Sequence, residues 1–398
     1  MSADVSVRSP SRQVARVINS YILPLGWLVI LTGMFWAWDR TLYHKLFYVL
    51  LAAPTLVALL LQPRMLKDLA NNPLFMAFLV FSAYTMLTIA WSDTENSVGS
   101  LLKRPLYITM LLLSAGIIAL HASVTLTQCV RLAALVAATA AGISLIYFVA
   151  VLLPAGAMRL DGFGALYNPL LTAHVLGAFA AVWLVFWFQG QRALNPVALA
   201  CLFVLGAAIL ATGSRTPLVG LSAALGWLLI VGDRRRGLLA VGTIAIAVVA
   251  VALVYPEAIT QRGVSYRPAI WMESLRQIGE HPWFGHGYDT AMTVVVPGME
   301  RTLADPHNIE LGVLYAGGVV GLVLWMALYG LAMYFCWAYR KHPGVVLAGA
   351  WLVFGFASGL TEGNAFMSRP KEHWFLIWIP MALVYGQWLA LGKRGQAV

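Results

Sequence analysis

Three residues combine a reactive or charged side chain with a setting suited to a phosphorylated substrate. They are Arg215 in Gly213-Ser214-Arg215-Thr216-Pro217, Arg267 directly before Pro268, and His307 in Asp305-Pro306-His307-Asn308. Proline favours the first turn of a helix, so each is expected at a helix N-terminus. The helix dipole opposes a cation there by roughly 0.3 to 1 kcal/mol, and an arginine so placed asks for a counter-charge. A bound anion supplies one. Backbone N–H groups, the dipole and a planar guanidinium fork then converge on phosphate, and two such ends hold a diphosphate. The alternative is that Arg215 pairs with a carboxylate such as Glu257 or Glu310, or reaches to a membrane interface. The dipole and partial burial should disfavour a charged His307, leaving a neutral imidazole for use as a base, although a lone histidine at a helix start is also an ordinary cap.

The elements that must carry these residues are apolar. Of 398 residues, 61% are hydrophobic and 11% charged, against roughly a quarter charged in soluble domains. The expected fold is all-α, a polytopic membrane protein with about twelve transmembrane helices. The spans fall near 21–38, 42–62, 73–91, 104–120, 130–153, 169–188, 194–211, 215–232, 237–255, 308–337, 344–360 and 373–392. They form a single integral membrane unit over 1–398 that includes a large, partly helical outer loop at 256–307. The first span follows Arg8, Arg12 and Arg16 without a small-residue cleavage site, and is expected to stay as an anchor. Cys129, Cys201 and Cys336 lack metal-ligand spacing, and no nucleotide-binding fingerprint is present. No metal and no cofactor is therefore expected.

Short basic connectors, including Arg64 and Lys67, Arg234 to Arg236, and Arg340 and Lys341, fall on one side. The positive-inside rule makes that side cytoplasmic, with both termini in it. Close to half of the 26 basic residues nevertheless fall on the other side. Six of these are Arg215, Arg262, Arg267, Arg276, Arg301 and Arg369, in or near loops after 211, at 256–307 and at 361–372. Nucleic acid is not expected outside the cytoplasm, so this basic face suits membrane lipids and lipid phosphate or diphosphate. Within the long loop, Ile270, Trp271, Leu275 and Ile278 share a helical face, so 267–280 reads as an amphipathic helix at the membrane surface. Gly312, Ala316, Gly317 and Gly321 allow a close neighbour on the helix after His307.

These features resemble the O-antigen ligase family. His307-Asn308, nine residues, Gly318, two residues and Gly321 fit its histidine and spaced-glycine pattern, and Ser214-Arg215-Thr216 and Arg267-Pro268-Ala269-Ile270-Trp271 leading to His281-Pro282-Trp283-Phe284-Gly285-His286-Gly287 are similar too. The motifs cover about residues 211–325. The resemblance implies a metal-independent glycosyltransferase of the bacterial inner membrane with a periplasmic active site. It would move O-antigen from undecaprenyl diphosphate to the outer core sugar of lipid A. Carried over, Arg215 and Arg267 would hold the diphosphate, with Arg262 able to share or take the second role, and His307 would assist the acceptor hydroxyl. Tyr266, Arg301 and Asn308 are counted with them as substrate-binding. A single displacement would invert the anomeric carbon. An O-antigen polymerase or a protein O-oligosaccharyltransferase would use the same donor, and a lipid-linked sugar flippase is the alternative of another class.

Overall fold

The structure, a computed structural model, describes residues 10–190, 195–239, 241–242, 266–296 and 302–395, apart from the side chains of 122–124 and 394–395. Eight helices within them are long and apolar enough to cross a membrane. They are α1 (Pro10–Phe35), α2 (Arg40–Leu61), α3 (Pro73–Trp91), α4 (Val98–His121), α5 (Thr125–Leu152), α6 (Pro169–Gln189), α10 (Ile309–Ala338) and α12 (Glu372–Lys393). Three shorter apolar helices join them, α7 (Pro196–Thr212), α8 (Thr216–Val231) and α11 (Pro343–Gly359). The outer loop contributes α9 (Arg267–Ile278). The all-α expectation therefore holds. Most of the span expected at 237–255, together with Arg262 and Arg301, lies outside the described residues.

Helix starts follow a simple local rule. Asn72, Asn168 and Asn195 each precede a proline, and their side chains accept from Leu74, Leu170 and Ala198 N–H groups. The amide oxygen satisfies an orphan donor, while proline at the first position lacks an N–H that would need one. This matters more in lipid than in water, because no solvent can rescue an unsatisfied group there.

Long-range hydrogen bonds and ion pairs sort the connections onto two ends. At one end Asn19 donates to Gln62 and meets His121, both at 3.1 Å, and Lys393 reaches the Leu120 carbonyl at 3.0 Å. At the other end Arg40 pairs with Glu372 at 2.6 Å, Ser92 donates to the Tyr288 carbonyl at 2.6 Å, and the Leu160 amide meets the Ala211 carbonyl at 3.0 Å. The chemically interesting residues all belong to this second end.

The helix α10 is not continuous. Gly318 has φ 60° and ψ −163°, which breaks the ladder in mid-helix. The stretch His281–Gly287 fills the gap: Val319 and Val320 amides donate to the Pro282 and Trp283 carbonyls at 2.8 and 3.3 Å, and His286 and Gly287 amides donate to the Tyr315 and Ala316 carbonyls at 2.8 and 3.0 Å. Tyr84 of α3 donates to the Gly317 carbonyl at 2.7 Å. The groups freed by the break are thus re-satisfied by protein, as lipid requires. A Cβ on Gly318 would lie 2.3 Å from the Trp283 carbonyl carbon and oxygen, so the site has room for backbone and nothing else. Gly318→Ala adds to that clash a backbone penalty of about 1 to 3 kcal/mol, since this φ/ψ pair is open essentially to glycine alone, and should destabilise the detergent-solubilised protein by more than that in thermal unfolding. Gly330→Ala on the same helix, where an added Cβ meets nothing within 4 Å, should be neutral or mildly stabilising, by up to about 1 kcal/mol. Equal melting temperatures for the two variants would contradict this account of the break.

Candidate active site

Arg215 sits in the turn between α7 and α8. Gly213 ends α7 in the left-handed conformation, φ 65°, the usual role of glycine at a helix C-terminus. Arg159 from the preceding loop donates to the Thr212 carbonyl at 2.7 Å and fixes this turn from outside. Arg215 occupies the N-cap position of α8 and is exposed. Among the described residues its guanidinium makes no hydrogen bond or ion pair. Pairing with Glu310 is therefore not its role, and Glu257 lies outside the described residues.

Arg267 is the first residue of α9, as its proline neighbour predicts. Its guanidinium donates to Thr216 Oγ1 and to Glu362 Oε2, both at 3.2 Å. Thr216 adjoins Arg215 in the chain, so two of the three expected residues meet at the start of α8. The third meets them through the same carboxylate: His307 Nδ1 lies 2.9 Å from Glu362 Oε1. Glu362 thus joins an arginine on one oxygen and an imidazole on the other.

His307 is not inside the first turn of α10. Asn308 is the N-cap, its oxygen accepting from the Leu311 amide at 2.9 Å, and His307 precedes it with φ 47°. A left-handed backbone in a residue with a Cβ costs about 1 to 2 kcal/mol. Asp305 Oδ1 offsets this by accepting from the His307 backbone amide at 2.8 Å, and lies 3.2 Å from Nδ1. Asn308 commits its remaining amide group to the Leu360 carbonyl at 2.8 Å, so both ends of its side chain brace the mount of His307. Tyr266 lies at the N-cap of α9 and is half exposed.

The loop carrying Glu362 is held by side chains from four places. Besides Asn308 on Leu360, Trp378 donates to the Phe366 carbonyl at 2.8 Å and Trp374 to the Ser368 carbonyl at 3.2 Å. The Tyr288 hydroxyl donates to the Met367 carbonyl. Trp374 and Trp378 are fully buried, so the loop rests on a rigid aromatic base.

The electrostatics of His307 differ from the sequence expectation. The hydrogen bond to Glu362 outweighs burial and raises its pKa above the ordinary 6.5, with Asp305 adding to the rise and Arg267 opposing it. Burial alone would raise Glu362, but the His307 hydrogen bond and nearby positive charge keep it below the usual carboxylate value. Glu362 is therefore ionised and only accepts, so Nδ1 carries the hydrogen toward it. In the neutral ring Nε2 is then the bare nitrogen. Dipole and burial were expected to hold the ring neutral. The carboxylate, which those arguments left out, reverses the sign.

Elsewhere the outer charges are partly spent. Arg276 pairs with Glu273 at 2.8 Å and Glu280 at 3.0 Å on the exposed side of α9, and is thereby removed from the set of open phosphate ligands. The apolar face of α9 is also rotated from its expected position. Ile270 and Ile278 are buried with Met292, Val294 and Leu303 against Tyr315, while Leu275 is 51% exposed. Ser274 and Gln277 take the inner side instead, because Ser274 bonds the Ile270 carbonyl and Gln277 the Thr293 carbonyl, both at 2.7 Å. Glu362 is the candidate site residue that the sequence analysis does not single out. Its signal was a carboxylate in a short loop followed by aromatic anchors.

The coupling of His307 to Glu362 can be read directly. Titration of ¹⁵N-labelled histidine should give His307 a midpoint above 6.5, protonated below it and neutral above, and Glu362→Gln should move that midpoint down, since burial and Arg267 then dominate. A midpoint that ignores the Glu362 substitution would sink the assignment.

Comparison with known proteins identifies the family. The sequence signature described as O-antigen ligase matches residues 199–326, from α7 past the break in α10. An O-antigen ligase of Pseudomonas aeruginosa is 56% identical over 389 residues, covering 96% of each chain. With Arg215, Arg267 and His307 inside the matched segment, and likeness extending over nearly the whole length, the chain belongs to the O-antigen ligase family and is an enzyme of that type.

Proposed function

We propose that the protein transfers O-antigen polysaccharide from undecaprenyl diphosphate to the outer core sugar of lipid A. The reaction takes place at the periplasmic face of the bacterial inner membrane, with both termini in the cytoplasm. The observation that supports this most is the meeting of Arg267 and His307 on the Glu362 carboxylate, beside the turn that carries Arg215. A cationic half and a basic half are thereby placed within one site.

The donor's anomeric carbon already bears a good leaving group, so stabilising its departing charge matters more than strong acid. Arg215, at a helix N-terminus and without a protein partner among the described residues, is assigned to the diphosphate. Arg267 is assigned beside it, oriented by Thr216 and Glu362. Arg262, Arg301 and Tyr266 are proposed to extend the donor site. Charge neutralisation rests on guanidinium groups rather than on a divalent ion.

His307 Nε2 accepts the proton of the acceptor hydroxyl as that oxygen bonds to the anomeric carbon. The bond to the diphosphate breaks with its electron pair leaving on the phosphate oxygen. Ionised Glu362 stabilises the imidazolium formed, holding Nδ1–H as a carboxylate does in a catalytic triad. Attack from the face opposite the leaving group inverts the anomeric centre.

Purified protein with lipid-linked donor, offered lipid A-core, a second donor molecule or a protein hydroxyl, should glycosylate the first with inversion and after thorough chelation of divalent ions. Arg215→Ala should lower kcat by roughly 10² to 10³, and Arg215→Lys should not restore it, since a point charge replaces a fork. The rate should climb with pH through a value above 6.5 as His307 loses its proton, and Glu362→Gln should shift that limb to lower pH while reducing the plateau. Retention of configuration, or full activity in Arg215→Ala and Arg267→Ala, would refute the mechanism.

A further inference from the structure

A separate cavity of about 570 Å³ opens at the same end of the bundle, well within the range of about 300 to 1,000 Å³ typical of small-ligand sites. It is not the diphosphate clamp. Arg215, Arg267, Thr216 and Glu362 do not line it, whereas Pro306 and Asn364, the near neighbours of His307 and Glu362, do. It therefore borders the chain neighbours of the base and its carboxylate without including the arginines of the clamp.

Four cations face this cavity: Arg40, Arg104, Arg369 and Lys371. Two are neutralised, Arg104 by Asp289 and Arg40 by Glu372, each at 2.6 Å. These carboxylates fix the two forks in place. Arg104 is further held by the Tyr288 hydroxyl at 2.8 Å, and Arg40 lies over the Tyr167 ring at 4.8 Å. The side chains of the other two make no hydrogen bond or ion pair among the described residues, and Lys371 is half-buried. A half-buried ammonium with no anionic partner within bonding distance is costly, and burial shifts Lys371 toward its neutral form. The Ser368 hydroxyl, buried on the cavity wall, also lacks a partner.

We propose that this cavity receives a phosphate group borne on a saccharide of the acceptor glycolipid, with Lys371 and Arg369 as its ligands. The assignment rests on the glycolipid-ligase reading. The acceptor is favoured over the donor because the cavity's cations are separate from the arginines assigned to the diphosphate, while its wall includes Pro306, the residue before His307. Anchoring a charged sugar there orients the acceptor hydroxyl toward His307 without touching the reacting bond.

The test uses full-length protein in proteoliposomes with fixed lipid-linked donor and two acceptors, intact lipid A-core and the same material stripped of its saccharide phosphates. Removing the phosphates should raise the acceptor KM about tenfold, the loss expected for one charge-assisted contact. Arg369→Ala/Lys371→Ala should raise KM for the intact acceptor about tenfold, leave the stripped acceptor unchanged, and leave the donor KM and kcat near their starting values. Lys371→Met, similar in length and apolar, should show the same selectivity if the double variant is poorly folded. Equal effects on both acceptors, or a rise confined to the donor KM, would overturn the assignment and direct the cavity to the donor or to surrounding lipid. Absence of transfer to either acceptor by the unsubstituted protein would remove the glycolipid-ligase reading itself. Transfer to both with one KM would remove only the phosphate site.

Discussion

Burying a carboxylate beside a membrane is expensive unless cations and hydrogen bonds compensate it, and Glu362, 6% exposed, meets that condition with one imidazole and one guanidinium. Each partner comes from a different element, Arg267 from α9 and His307 from the approach to α10. Thr216 at the head of α8 adds the fourth element through the same arginine. Removing the carboxylate would leave Arg267 and His307 without the group that joins them. The charge balance of the candidate site and its assembly are therefore one matter, and tertiary folding and electrostatics cannot be separated there.

The surrounding architecture shows how a bundle in lipid can present irregular backbone without penalty. Three departures from regular helix occur near the site: the Gly213 turn, the left-handed His307 and the break at Gly318. Each is answered by a named donor or acceptor: Arg159 on Thr212, Asp305 on His307, and the Pro282 and Trp283 carbonyls on the α10 amides. Strain tolerated in this way is typical of sites whose geometry matters more than local comfort.

Much of this was legible in the chain, for reasons that differ by residue. Apolar runs announced most helices, because lipid leaves few alternatives for backbone polar groups. Arg215 and Arg267 were readable from the prolines beside them. The partnership with Glu362 was not, since a contact between residues 307 and 362 has no local periodicity and was invisible until the fold closed it. The sign of the His307 shift followed from that omission. Leu275 also misled, because a one-sided apolar pattern on a short helix cannot anticipate that Gln277 finds a carbonyl to bind on the inner face. The glycines of α10 announced close approach, but not that Gly318 would stop the helix to admit another stretch of chain.

That interruption gives one residue unusual leverage. From Gly318 to the head of α10 is nine residues, roughly 14 Å at the usual helical rise. A change of about 10° in direction at the break would move the mount of His307 by about 2 Å, whereas misplacement of only 1 Å can cost a hundredfold in rate. The aim of the imidazole is thus set like the muzzle of a long barrel by its hinge, and the threaded segment His281–Gly287 acts as the wedge that fixes the bearing.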